Sequence, residues 1–384
     1  NGYRFDKTGH LLHLRDPRRR KQVLSYLDSA PLDVARQSFV YSEGVFTRYP
    51  YQSNVHGLPP ATAYACVMDF IRAHRHPPEQ TPDNFEAFCR AHFGDAISDH
   101  FMLPYNRRLW GVEPREITTS WCQRFVPIPS IEDVVAGAVG HQLRELGYNA
   151  SGLYPHKGIG ELTEAMGRRV NALRLRCAPQ RIDGQRHVVY GSGWALRYQT
   201  LVSTLPLPKL LGLIDGVPDA IMDATRRLRC APLYYLDVAL RRMPRPNMHW
   251  AYVPEERFPF YRVGNYAAFS PEMAPPGMAC LYVELVSREE PALERLWPAV
   301  EAGLLEMGFL ESANDVAFCR IRALDYAYVI YDGARDRALP AIEDYLHSLG
   351  IVSSGRYGGW NYSSMEDAFE FGERAAAQSI ELVK

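Results

Sequence analysis

Residues 353–376 read SSGRYGGWNYSSMEDAFEFGERAA. A glycine-rich turn holding Arg356, Tyr357, Trp360 and Tyr362 runs into a segment whose apolar and small residues recur at helical spacing: Met365, Ala368, Phe369, Gly372, Ala375 and Ala376. A turn of this kind opening a helix has the geometry of a phosphate-type site. Glycine permits close approach to the backbone, and a helix N-terminus offers N–H groups and the positive end of a dipole. Arg356 adds a fixed charge. The same pattern also serves as a plain conformational solution for a loop entering a helix, so the rest of the chain must decide.

The 384 residues carry 43 Lys and Arg against 44 Asp and Glu, a net charge of −1. That balance argues against a nucleic-acid binder held by counterion release. The basic runs Arg18–Lys21, Arg168–Arg169 and Arg241–Arg242 are short and read as solvated surface. Seven cysteines without a CxxC pair form neither a disulfide framework nor a zinc site. They suit buried thiols in a reducing compartment, and a cytoplasmic location is expected. No apolar stretch reaches the roughly eighteen residues of a membrane span. The chain opens on NGYRFDKTGH, with no visible signal peptide.

Along the chain, SFVYSEGVFTRYP suggests a hairpin around Glu43-Gly44. Residues 59–106 predict three helical pieces, opening at Pro59-Pro60, at Pro82-Asp83 and at Phe93. Ser130 with Asp133 predicts a capped helix start. GLYPHKGIGELTEAMGRRVNAL runs from a strand through a glycine turn into a helix, with Leu162, Ala165, Met166 and Val170 on one face. Strands are expected at 187–203, 233–241, 248–253, 259–269, 279–287 and 318–323. Helices are expected at 205–214, 291–308 and 335–349. The interleaving indicates an α/β or α+β fold with discontinuous domains.

Arginines and tyrosines gather in a few stretches. RFPFYR ends on Arg262, DYAYVIYD holds Tyr326, Tyr328 and Tyr331, and TRYPYQSN collects Tyr49, Tyr51, Gln52 and Asn54. FMLPYNRRLW adds Asn106 and Trp110. An arginine fork with tyrosine hydroxyls suits a diphosphate, and aromatics beside an amide suit a nucleobase. Core packing is the competing reading for each aromatic taken singly. No nucleophile motif, metal-ligand spacing or GxGxxG fingerprint is present. GIGEL has only Gly158 and Gly160, where a helix cap is the default.

Taken in order, NGYRFDKTGH, RYPYQSNVHGLP, FMLPYNRRLWGV, YPHKGIGEL, LVSTLP, PFYR and GRYGGWNYSSMEDA resemble the UDP-galactopyranose mutases of the eukaryotic type and their bacterial relatives. These belong to a wider FAD superfamily that includes amine oxidases and protoporphyrinogen oxidases. The resemblance runs from Asn1 to about Ala377. GIGEL and LVSTLP are shared across the superfamily, whereas RYPYQSN, LPYNRRLW and PFYR are more specific to the mutases. It implies an α/β fold with a discontinuous Rossmann-like FAD domain at 1–35, 150–225 and 325–384. A helical insertion at 58–108 and an antiparallel-sheet substrate domain at 36–57, 109–149 and 226–324 complete the expected layout. In the family a βαβ unit with GxGxxG precedes NGYRFD, so roughly 35–45 upstream residues are expected and the FAD domain is truncated at its N-terminus.

The resemblance also assigns residues. His10 matches a histidine beside the flavin, while Arg36 and Arg124 match arginines near the flavin and the sugar. Gly355, Arg356, Tyr357, Tyr362 and Met365 lie along the flavin and its diphosphate. Tyr49, Gln52, Phe101 and Trp110 match the uridine pocket, and Asn106 and Asn149 match amides holding nucleotide and sugar. Arg262, Tyr252, Tyr328 and Tyr362 match the diphosphate clamp. His10, Arg124 and Arg262 stand closest to the chemistry. Tyr51 replaces a usual phenylalanine, and SSMEDA departs from the asparagine-bearing segment of the eukaryotic enzymes. The implied reaction interconverts UDP-galactopyranose and UDP-galactofuranose on reduced FAD without net redox change, in cell-wall or lipopolysaccharide synthesis. It needs a UDP-sugar and a flavin reductant, no nucleic acid, metal or membrane span, and homo-oligomers are possible partners. An FAD-dependent oxidase of the amine or protoporphyrinogen type is the alternative.

Overall fold

The strand Ala279–Leu285, ACLYVEL, places Ala279, Leu281, Val283 and Leu285 on one face and Cys280, Tyr282 and Glu284 on the other. All seven residues are buried, so both faces of the sheet are covered at this strand. The structure is a computed structural model and describes residues 2–144, 146, 150–287 and 289–383. It is a mixed α/β fold. The chain forms two compact units, the first made of residues 1–165 and 232–325, the second of 166–231 and 326–384.

A seven-stranded sheet dominates the first unit. Its order is Val316–Val329, Cys230–Leu240, Ala279–Leu285, Phe260–Asn265, Trp250–Tyr252, Ser38–Ser42 and Val45–Arg48. Trp250–Tyr252 joins Ser38–Ser42 in parallel, while the other pairings from Cys230–Leu240 to Val45–Arg48 are antiparallel. Leu281, Val283, Leu236, Val238, Ala251 and Val263 share one apolar core with Val300 and Leu304 of the helix Leu293–Glu306. The opposite face carries Trp250, Tyr252, Arg262, Tyr282, Glu284, Tyr235 and Asp237, as the two-residue period requires.

The expected hairpin forms between Ser38–Ser42 and Val45–Arg48, with Glu43 and Gly44 at φ 53° and 77°. Two positive φ values match the primed turn that strand twist favours. The helical segment begins at Pro60–Arg75 and continues through Phe85–Ile97, a π-type turn at Ser98–Met102 and Leu103–Trp110. Gly94 breaks Phe85–Ile97 at φ 76°. A Cβ there would lie 2.5 Å from the Asp69 carbonyl carbon, while the Asp69 carboxylate accepts the Ala96 N–H at 3.1 Å. The bend is therefore built from glycine and a side-chain cap. Ser130 and Asp133 form the expected capping box on Ile131–Ala138.

The second unit holds a parallel pair, Leu201–Ser203 with Ile351–Ser353, and an antiparallel three-stranded sheet, Pro179–Asp183, Val188–Gly191 and Trp194–Arg197. Several sequence expectations change in detail: the strand expected over 259–269 ends at Asn265, and Tyr266–Phe269 is a helical turn. The 187–203 stretch is split by turns into three short strands. A helix at Asp219–Arg226, opened by Pro218, went unread between 214 and 233. The helix after GIGEL ends at Gly167, leaving Val170 exposed. The terminal helix, Met365–Glu381, forms where expected but buries Asp367 and Ala375 and exposes Ala368, Gly372 and Ala376.

Candidate active site

In the first unit, aromatic rings from four elements make one continuous chain. Tyr51 stacks on Phe101 at 5.1 Å, and Phe101 stacks on Tyr105 at 5.3 Å. Tyr105 meets Tyr252 edge-on at 5.2 Å, Tyr252 lies 4.8 Å from Tyr49, and the Arg36 guanidinium sits 5.0 Å from the Tyr49 ring. The helical spacing of Phe101 and Tyr105 brings their rings together across one turn. Burial raises the Tyr51 hydroxyl well above its ordinary pKa, so it stays neutral. Tyr51, Phe101, Tyr105 and Tyr252 are buried and Tyr49 at the end of the chain is half-buried, so a flat ring would meet this wall at Tyr49.

Beside this wall, Tyr252 faces Arg262 in strand register, and Arg262 faces Glu284. Arg262 donates from Nη2 to Glu284 Oε1 and lies 5.8 Å from the Tyr282 ring. Glu284 has no exposed surface, and its Oε2 has no hydrogen-bond partner; the same holds for the buried Trp250 Nε1 and Ser38 Oγ on this face. Buried polar atoms of this kind call for a partner. They make this sheet face a place where polar ligand atoms can be received.

His10 is exposed, with Nδ1 3.1 Å from the Thr8 carbonyl. Its loop is anchored by Asp6, whose carboxylate accepts the Tyr154 hydroxyl at 2.6 Å and the Ile159 N–H at 3.1 Å. Burial raises the Asp6 pKa against these hydrogen bonds. Gly158 sits at φ 104°, and a Cβ there would lie 2.7 Å from Asp6 Oδ1. The GIGEL turn thus receives a carboxylate of its own chain.

In the second unit, the Arg356 guanidinium lies 4.8 Å from the Tyr362 ring, 5.7 Å from Tyr328 and 5.9 Å from Tyr357. It donates to the Ser363 and Ala327 carbonyls at 2.9 and 3.0 Å. Among the described residues, no carboxylate is in ion-pair reach of it, so its charge is offset by carbonyl dipoles and ring faces alone. Gly355, at φ 85°, starts a single helical turn to Gly358 rather than an open loop. Arg335 secures that turn by donating to the Trp360 carbonyl and the Asn361 side chain, and Tyr331 accepts the Tyr362 N–H at 2.8 Å. Met365 opens the following helix, whose N-terminus is closed by Ser364 and Asp367. With Glu366 and Asp367 in the first turn, that terminus suits a neutral acceptor better than a phosphate.

The remaining expected residues make contacts of their own. Asn106 uses both ends of its amide within its helix, donating to the Met102 carbonyl and accepting the Trp110 indole N–H, and Trp110 packs on Trp121. Gln52 donates to the Pro127 carbonyl at 2.9 Å and keeps a buried, unpartnered Oε1. Arg124 is exposed, 5.3 Å from the Phe125 ring. Asn149 lies outside the described residues. Sequence reasoning passed over Tyr105, Asp6, Glu284 and Arg335. Tyr105 stood four residues after Phe101 in a quoted motif, whereas nothing local marks Glu284 except an acid inside an apolar strand.

No protein-family model matches the sequence. The fold superposes on solved structures over nearly the whole of this chain. A putative protoporphyrinogen oxidase from Exiguobacterium sp. superposes with TM-score 0.69 at 13% identity, covering 98% of this chain and 92% of that one. Cyclohexylamine oxidase from Brevibacterium oxydans gives 0.63 at 13% identity, covering 99% and 88%. Reduced UDP-galactopyranose mutase matches with TM-score 0.90 and 24% identity, over all of this chain and 84% of that one. These likenesses fix the fold.

Proposed function

We propose that this protein is a flavin-dependent UDP-sugar mutase that interconverts UDP-galactopyranose and UDP-galactofuranose. The observation that carries this reading is the Tyr51–Phe101–Tyr105–Tyr252–Tyr49 wall standing in strand register beside Arg262, in a fold superposable on a mutase. The wall stacks the uracil ring, with Gln52 Oε1 left to accept from it. Arg262 orients the diphosphate, with Arg124, Tyr328, Tyr362, Asn106, Trp110 and Asn149 completing the substrate assignments carried by the resemblance. Glu284 offsets the charge of Arg262, so the arginine acts by aimed donors more than by net charge.

The residues present fit a flavin. The Arg356 cation lacks a carboxylate among the described residues, and flat tyrosine faces surround it. His10, Arg36, Gly355, Arg356, Tyr357, Tyr362 and Met365 are the residues assigned to hold it. Reduced FAD supplies the nucleophile that this residue set lacks. The protein's share is to hold the sugar's anomeric carbon in place and to stabilise the departing diphosphate through Arg262 and Arg124. No side-chain base is required for that work. We assign residues 1–35, 150–225 and 325–384 to the cofactor, 58–108 to a helical insertion, and 36–57, 109–149 and 226–324 to the substrate.

UDP titration of the flavin-loaded protein, run beside an oxygen-uptake assay with amines, tests this reading. Saturable UDP binding without amine oxidation supports it. Amine-dependent oxygen uptake without UDP binding assigns the protein to the oxidases instead.

A further inference from the structure

Arg108 is the most completely enclosed cation in the helical segment that ends at Trp110, at 8% exposure. Its guanidinium donates to four main-chain carbonyls: Val253 at 3.3 Å, Phe258 at 2.5 Å, Phe260 at 2.8 Å, and Glu255. Among the described residues no carboxylate forms an ion pair with it. Burial pushes its pKa down to about 10, which still leaves it charged at neutral pH. A buried cation is tolerated only when its donors are met, and here carbonyl oxygens meet them.

The four carbonyls have a common address. Val253, Glu255 and Phe258 lie in the connection between strands Trp250–Tyr252 and Phe260–Asn265, and Phe260 is the first residue of the second strand. Those strands carry the Tyr252–Arg262 register pair immediately inside the connection. The helix bearing Arg108 also carries Tyr105, which touches Tyr252 at 5.2 Å and Tyr261 at 6.1 Å. One planar fork thus fixes the distance between the helix and the hairpin on which the two halves of the aromatic wall are mounted. We infer that Arg108 is a positioning residue for nucleotide binding: it sets the spacing of Tyr105 and Tyr252 and the aim of Arg262 without touching the ligand. This rests on the reading of that wall as the nucleotide site. Lysine, with three donors on a point charge, cannot reproduce a four-carbonyl fork.

The test compares Arg108→Lys and Arg108→Gln with the wild-type flavoprotein. Expected are a Kd for UDP and a KM for UDP-galactofuranose raised by about tenfold or more, with flavin content within about twofold of wild type. The tyrosine bands of the near-ultraviolet circular dichroism should change in the absence of any ligand. Unchanged UDP affinity in a folded variant overturns the inference. So does a parallel fall of kcat, flavin and thermal stability, which marks a purely structural role. If both variants fail to fold, a glycine inserted between Glu256 and Arg257 loosens the same clamp with Arg108 intact, and undiminished UDP affinity there also overturns it. A wild-type protein that does not bind UDP refutes the nucleotide reading instead, and unaltered tyrosine bands then refute the positioning role separately.

Discussion

Arg262 and Glu284 stand opposite each other on neighbouring antiparallel strands, and the carboxylate that receives the Arg262 Nη2 has no exposed surface. Removing one member of a buried pair leaves the other uncompensated, at a cost of about 3–5 kcal/mol. Glu284→Gln should therefore lower Tm. A diphosphate beside Arg262 would replace the missing charge, so UDP should raise the Tm of the variant by more than it raises that of the wild type. Equal shifts in a ligand-dependent melting series would take Arg262 out of the diphosphate site.

Arg356 shows whether a cation or a clamp is needed in the second unit. Its two carbonyl bonds tie Ser363 to Ala327, a geometry that a lysine cannot copy. Arg356→Gln should lose flavin, a weakening of roughly 1.5–3 kcal/mol if a charge-assisted contact disappears. Arg356→Lys should lose most of it too. Full flavin in the lysine variant, read from the visible-to-280 nm absorbance ratio, would show that charge alone suffices.

His249 predicts an acid sensitivity. Its ring is buried between hydrogen bonds to the Gln37 N–H and the Ala268 carbonyl, with Phe269 stacked at 4.7 Å, and burial lowers its pKa to about 4. The unfolded chain takes up this proton near pH 6.5, before the native state does. The stabilisation is present above pH 6.5 and is lost as pH falls towards 4, by roughly 3 kcal/mol in total. Chemical denaturation across that window should show a steeper decline for the wild type than for His249→Gln. Parallel slopes would mean that the ring is not held neutral.

Gly94→Ala should destabilise the helical segment by about 2 kcal/mol or more, through both a positive φ and the collision with Asp69 backbone. A Tm equal to that of the wild type would show that the bend relaxes freely.

Much of this was legible from local pattern. The Glu43-Gly44 hairpin and the Ser130 cap follow from turn and capping chemistry that depends on a few adjacent residues. The mixed α/β architecture followed from interleaved periodicities and from motifs spread along the chain. What stayed hidden depends on contacts distant in sequence. Glu284 has meaning only through its register with Arg262, Arg108 only through carbonyls about 150 residues away, and Asp6 only through the turn at Gly158. The stripe expected on the terminal helix failed because small residues suit a solvent-facing helix as well as a packed one. Ala368, Gly372 and Ala376 are exposed, and Asp367 is buried by its own capping box.

A ring-size change at a sugar held by its UDP is the activity that follows most directly from this site. The protein, loaded with FAD and reduced with dithionite, is incubated with UDP-galactofuranose and the sugar nucleotides are separated. Conversion to UDP-galactopyranose, abolished when the flavin is reoxidised and lowered by about ten- to a hundredfold in Arg262→Ala, is the predicted result. Unchanged UDP-galactofuranose from a fully reduced, flavin-loaded protein would contradict it.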